Sequence, residues 1–159
     1  MTSKKLYLLR HAKSSWSDFS LDDFDRPLNK RGKRDAPLMA ARMGERAIDP
    51  EVIISSPAKR AKTTAKYFSK MLNTKVIYDE NIYEASTLQL KEIINQAFED
   101  HDTIMLVGHN PSLTMLSNSL CGYHIENIPT AGIVGVAFDN KDIARTKGTL
   151  LFFDYPKNS

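Results

Sequence analysis

The chain has 159 residues, 42% hydrophobic and 26% charged, with a net charge of +3 and one cysteine. That length and balance exclude a disordered or collagen-like chain. They fit one globular domain over residues 1–159, able to bury roughly 70% of its unfolded surface without a disulfide or structural metal. The small basic excess suits an anionic substrate but is too small to argue for a nucleic-acid partner, and no nucleic-acid-binding motif is present.

In chain order, Leu6 to Leu9 predicts a short buried strand that runs straight into Arg10-His11. It is too short for a signal-peptide core. Ala36, Met39, Ala40 and Met43 follow helical i, i+3, i+4, i+7 spacing. Pro37 removes a backbone donor inside that stripe, so a kink or a late start is expected there. A second strand is predicted over Glu51 to Ser55. A helix follows, with Ser56 as N-cap, Pro57 as its first residue, and a stripe of Ala61, Thr64, Ala65 and Phe68 continuing to Met71 and Leu72. Lys75 to Tyr78 reads as a third strand. Ser86 and Gln89 form a capping box for a helix whose stripe is Leu90, Ile93, Ile94, Ala97 and Phe98.

Thr103 to Val107 is a continuous apolar strand of the kind covered on both faces. Asn110 and Pro111 are expected to cap and open a fourth helix, striped by Leu113, Leu116, Ser117 and Leu120. Ile133 to Phe138 and Thr149 to Phe153 predict a terminal antiparallel pair. Alternating strands and helices imply a three-layer α/β/α sandwich with a mostly parallel sheet and one antiparallel strand. Apolar runs as short as Ile104 to Val107 do not span a membrane, and the lone Cys121 fits a reducing cytoplasm.

Ligands of open α/β sheets bind at the carboxyl ends of the strands. Four segments leave those ends with reactive side chains: Arg10 and His11, Arg60, Glu84, and His109. Each has a bland reading alone. Arg10 could pair with an acid, His109 could be a satisfied structural histidine, and Glu84 could be a solvated loop residue. The neighbouring lysines Lys59, Lys62 and Lys66 read as a solvated helix face. Together, two histidines, two arginines, a carboxylate and two helix N-termini make an anion pocket holding a nucleophile and an acid. Neither the ligand spacing of a zinc site nor a nucleotide-phosphate loop is present, so no metal or cofactor is expected. Asp18, Asp22, Asp23 and Asp25 read as a solvated acidic loop, with contact to a basic partner as the alternative.

Leu8-Leu9-Arg10-His11-Ala12 resembles the Arg-His-Gly signature of the histidine phosphatase (phosphoglycerate mutase-like) superfamily, with Ala12 in place of glycine. Ser55-Ser56-Pro57, Arg60-Ala61 and Thr64-Ala65 resemble its second arginine motif, and Gly108-His109 its second histidine motif. Asp25 to Gly32 and the Arg-His-Ala-Lys-Ser-Ser-Trp run at 10–16 are similar to the SixA-type phosphohistidine phosphatases, which lack a large lid insertion. The resemblance makes His11 the phosphoryl acceptor and Arg10, Arg60 and His109 the phosphate pocket. Glu84 falls where many members keep the proton donor. Ala12 excludes a positive φ at that position and is expected to be tolerated. The implied activity is a metal-independent phosphatase acting on phosphohistidine in proteins. A small-molecule phosphomonoesterase or mutase, and a non-catalytic phosphate-binding domain, are the alternatives.

Overall fold

A computed structural model describes residues 3–143 and 145–158. Six strands form one sheet: β1 (Lys4–Arg10), β2 (Val52–Ser55), β3 (Val76–Tyr78), β4 (Thr103–Gly108), β5 (Ile133–Phe138) and β6 (Thr149–Asp154). Their order is β3-β2-β4-β1-β5-β6. β5 runs antiparallel to both its neighbours, β1 and β6, and the remaining pairs are parallel. It is therefore the one reversed strand of a mostly parallel sheet, as the sequence implies. Among the described residues no helix is long and apolar enough to cross a membrane.

Four helices cover the sheet: α1 (Lys30–Glu45), α2 (Lys59–Leu72), α3 (Thr87–Ala97) and α4 (Ser112–Leu120). Strand side chains alternate between two cores because successive Cβ atoms point to opposite faces. Leu6 and Leu8 of β1, with Ile104 and Leu106 of β4, pack with Leu90 and Ile94 of α3 and Leu113 and Leu116 of α4. Tyr7, Leu9, Met105 and Val107 pack the other way, with Met39 and Met43 of α1 and Ala61, Ala65 and Phe68 of α2. The helical stripes read from spacing are buried or partly buried, with one exception. Met71 is half exposed, so the α2 stripe effectively ends at Phe68 and the partly buried Leu72.

Three helix starts differ from expectation. α1 begins at Lys30, well before its apolar stripe, and Pro37 lies inside it. The early turn is held by Asn29, whose side chain accepts from the Gly32 amide at 2.9 Å. It is also held by buried Asp35, which pairs with Arg31 and Arg34. A charged first turn carries no apolar period, which is why spacing alone misses it. α2 begins after Ala58, not at Pro57. Ser56 still serves the turn, accepting from the Ala58 amide at 3.2 Å. α4 starts after Pro111. Asn110 reaches over that proline to accept from the Thr114 amide at 3.1 Å, capping from one position further out. The Ser86–Gln89 capping box of α3 is present in full.

The start of α1 also fixes the loop that follows β1. The Asn29 amide donates to the Lys13 carbonyl at 3.0 Å. A Cβ on Gly32 would overlap that same carbonyl oxygen. We therefore expect Gly32→Ala to push the Lys13 backbone outward, two residues from His11, and to cost about 1–3 kcal/mol by overpacking. Denaturant unfolding of the variant beside the wild type measures this, and an unchanged midpoint would show that the contact is slack.

Candidate active site

The carboxyl edge of the sheet gathers Arg10, His11, Arg60 and His109 into one cluster. β1 ends in register with β4, Arg10 opposite Gly108. The His11 amide continues the pairing, donating to the Gly108 carbonyl at 3.2 Å. One residue further on, the two imidazole rings lie 5.1 Å apart, centre to centre. From the other side, the Ala131 amide donates to the carbonyls of both Arg10 and His11. Ala131 adopts φ 62°, a left-handed conformation uncommon for alanine. Ala12 has no such conformation; it is fully buried, and its amide donates to Thr64 Oγ1 at 3.0 Å. The methyl group in place of a hydrogen is thus absorbed by the core beneath α2.

His11 Nδ1 lies 2.7 Å from the Ala12 carbonyl oxygen. A carbonyl only accepts, so Nδ1 carries the proton and the neutral ring keeps its lone pair on Nε2. Burial, with the charges of Arg60 and Arg10 and the neighbouring His109, holds the His11 imidazole down at about 3 despite the Ala12 contact. Burial and Arg60 likewise take His109 down to about 4. His109 Nε2 pairs with Ser56 Oγ at 2.8 Å, and Tyr83 stands edge-on to its ring. Arg10 donates to the Ile128 carbonyl at 2.8 Å. Its Nε and the Nδ1 of His109 are buried without a hydrogen-bond partner among the described residues.

Arg60 is engaged by a residue that sequence reading assigned to solvent. Its guanidinium donates to the Asp23 carbonyl at 2.6 Å and to the Asp23 carboxylate at 2.9 Å. Arg26 and the Tyr83 hydroxyl also donate to that carboxylate, both at 2.7 Å. Burial alone would raise the Asp23 carboxyl, but the donors Tyr83, Arg60 and Arg26 bring it to about 2. The acidic loop is therefore not simply solvated: Asp23 ties it to α2 and to both walls of the pocket. Arg26 is itself buried, bonded to Ser14 and the Ser15 carbonyl, and stacked on Trp16. Asp23 and Tyr83 had no motif of their own to expose them, and Arg26 lay in the Asp25 to Gly32 run without a role of its own. The signal available was an Asp–Arg pair at i, i+3 next to the nucleophile loop, and it reads equally as surface charge.

Two cavities meet at Arg60. One, of about 180 Å³, is lined by Arg10, His11, Lys13, Arg60 and Thr130 among others. The other, of about 280 Å³, is lined by Arg60, Tyr83, Glu84, His109 and Ser112 among others. While His11 lines the first cavity, the second is lined by Arg60, His109 and, on its exposed rim, Glu84. Its side chain is exposed, and it makes no hydrogen bond or ion pair among the described residues. Its backbone is held at φ 59°. The next residue, Ala85, is buried and accepts from Ser112 Oγ, so Glu84 sits on an anchored segment.

The model of the histidine phosphatase superfamily (branch 1) matches residues 6–94. An uncharacterised chloroplastic protein of Arabidopsis thaliana is 34% identical over 135 residues, 78% of this chain and 62% of that protein. Phosphoserine phosphatase 1 of Hydrogenobacter thermophilus is 34% identical over 103 residues, 60% of this chain and 48% of the enzyme. The chain therefore spans less than two thirds of either relative. A crystal structure from Agrobacterium tumefaciens, assigned as phosphohistidine phosphatase SixA, superposes with a TM-score of 0.85 at 27% identity. It covers 96% of this chain and 98% of that one.

The electrostatics predict how the two histidines titrate. Both have folded values below the ordinary imidazole value of about 6.5, so neither should show a midpoint between about pH 5 and pH 8 in the free protein. The unfolded chain binds protons in that window that the folded chain does not, so stability is full above about pH 6.5 and falls as the pH drops toward the folded values. NMR titration of the His11 and His109 ring carbons, with thermal melts across the same range, checks both statements. A midpoint near neutrality would mean the rings are far better solvated than the structure has them.

Proposed function

The chain belongs to the histidine phosphatase superfamily, branch 1, and on that footing we propose that it is a phosphatase working through a phosphorylated His11. The observation that carries the reading is the His11 tautomer. The Nδ1 proton is committed to the Ala12 carbonyl, leaving the Nε2 lone pair of a neutral ring beside two guanidinium groups. Burial keeps that lone pair unprotonated at neutral pH, and the arginines supply the positive field that a transferring phosphoryl group needs.

In the proposed reaction the Nε2 lone pair attacks phosphorus in line, and the bond from phosphorus to the leaving group breaks. Arg10, Arg60 and His109 hold the equatorial oxygens. Arg10 Nε and His109 Nδ1, buried without partners among the described residues, have hydrogen-bonding capacity left for an anion. We assign Ser56 Oγ as the donor to His109 Nε2, which puts the His109 proton on Nδ1 and makes Nδ1 a donor to the anion. Arg60 reaches phosphate only by sharing or releasing Asp23, so substrate displaces one anion with another. In-line displacement puts the leaving group opposite the nucleophile. We assign Glu84, which lines the adjoining cavity that shares Arg60, to that leaving-group side. Glu84 gives its proton to the leaving atom. Water then attacks the phosphohistidine, Glu84 takes the proton back, and phosphate leaves with Nε2 restored.

Likeness to the Agrobacterium protein supports phosphohistidine in proteins as the substrate, with the leaving group an imidazole nitrogen. The phosphoserine phosphatase relative supports a second reading, a small phosphate ester in the same pocket. A panel of a phosphohistidine-bearing protein, phosphoserine and sugar phosphates separates the two by kcat/KM.

His11→Ala should leave the fold intact and lower turnover by about a thousandfold or more. Incubation of the wild type with labelled substrate, quenched in denaturant at alkaline pH, should trap label that is acid-labile and base-stable. Turnover in the variant within an order of magnitude of wild type would remove His11 as nucleophile. Glu84→Gln should follow the leaving group, because general acid catalysis is typically worth about 10²–10⁴-fold only where the departing atom is strongly basic. Alkyl phosphates should slow most, phosphohistidine moderately and p-nitrophenyl phosphate least. A flat profile across the three would take Glu84 out of the proton transfer.

A further inference from the structure

The loop from Trp16 to Asp25 has two sides with different chemistry. Its inner side is committed to the pocket through Asp23 and Arg26. Its outer side carries Trp16, Phe19, Leu21 and Phe24, exposed to 63%, 92%, 38% and 36%. Phe19 is held at the tip of a turn in which Asp18 Oδ1 accepts from the Ser20 amide at 3.0 Å and from Ser20 Oγ at 2.6 Å. A phenylalanine so exposed adds almost nothing to the core. Apolar side chains grouped on a surface and rimmed by charge mark a place where another molecule docks.

The position of this patch says what docks there. Trp16 lines the same cavity as Arg10 and His11. Phe24 stands edge-on to Tyr83, which lines the cavity of Arg60 and His109. The patch therefore borders the mouth of the phosphoryl site. Between its apolar side chains stand Asp18, Asp22 and Asp25, which form no salt bridge among the described residues. Asp18 and Asp22 set negative charge among the apolar side chains, which repels an anionic lipid surface or a nucleic acid and attracts a basic one, while Asp25 shares a neighbouring cavity with Lys59, Lys62 and Lys66. A free small phosphate is too small to touch both Phe19 and the pocket's arginines, whereas a folded protein presenting a phosphoryl group covers both.

We propose that the loop 16–25 is the docking surface for a phosphorylated protein substrate whose phosphorylated residue is bordered by apolar and basic side chains. This rests on the reading of the site as acting on phosphohistidine in proteins. It adds the surface that distinguishes a protein substrate from a small phosphate. Phe19 and Leu21 touch the substrate's protein surface and not the reacting atoms, so they act through KM.

The test uses the full chain with three substrates: p-nitrophenyl phosphate, free phosphohistidine, and a phosphorelay domain phosphorylated on histidine. The double variant Phe19→Ala, Leu21→Ala should lose about tenfold or more in kcat/KM on the domain, mainly through KM, as for truncation of anchoring interface residues. Both small substrates should stay within about twofold of wild type, since uniform binding to them is untouched. Phe19→Trp should retain activity on the domain, and Asp18→Asn with Asp22→Asn should flatten its salt dependence. If the wild type hydrolyses the domain and the double variant matches it, the docking surface is overturned and the phosphohistidine reading stands. If the wild type hydrolyses both small substrates but not the domain, the phosphohistidine-protein reading falls and the docking surface with it. If the wild type sediments as a dimer that the double variant dissolves, the occupant is a second copy of this chain and the proposal is overturned.

Discussion

The register of β1 on β4 is the constraint from which the site follows. Arg10 sits opposite Gly108, and the next residue on each strand is a histidine. Hydrogen bonding of the His11 amide to the Gly108 carbonyl extends the pairing one step past the sheet, and the two rings meet there. A slip of one residue would turn Arg10 and His11 onto each other's faces, because strand side chains alternate. The register is secured far from the site, by Leu6, Leu8, Ile104 and Leu106 on one face and Tyr7, Leu9, Met105 and Val107 on the other. Each strand is buried on both faces, so a slip would exchange one core's side chains for the other's.

Placing two guanidinium groups and two imidazoles together in a buried pocket leaves one electrostatic solution. The arginines keep their charge, because no accessible pH removes it. The imidazoles shed theirs, burial and the arginines acting in the same direction. The positive charge that remains is partly offset by Asp23, held on Arg60 by two hydrogen bonds. A carboxylate on the guanidinium that is proposed to bind phosphate is a local stand-in for the substrate's charge. It keeps the pocket compact, and it sets a competition that any incoming oxyanion has to win.

Asp23 also links chemistry to surface. The same loop that neutralises Arg60 stacks Trp16 on Arg26 and leaves Phe19 in solvent. Its inner contacts are short and multiply bonded, while its outer side chains stay largely exposed, Trp16 against Arg26 and Phe24 against Tyr83. A loop anchored through one carboxylate is fixed relative to the pocket without being buried. That is the arrangement a surface needs if it is to orient a large substrate around a small reactive centre.

Much of this architecture was legible from local pattern. The strands announce themselves by apolar runs, the helices by stripes such as Met39-Ala40-Met43 and Leu113-Leu116-Leu120, and α3 by its capping box. Such signals are legible because neighbours in the chain create them. The meeting of Arg10, His11, Arg60 and His109 was legible for a related reason: each follows the carboxyl end of a strand, and a parallel sheet puts those ends on one edge. What tertiary structure alone decided is how the side chains spend their hydrogen bonds. The early start of α1 depends on Asn29 and on the approach of Gly32 to Lys13. The cap of α4 depends on Asn110 reaching across Pro111. The role of Asp23 depends on Arg60, Arg26 and Tyr83 arriving from three separate segments. Periodicity carries no information about such meetings, because the strand order sets the distances between residues far apart in the chain, and the geometry of individual donors and acceptors decides which of them pair.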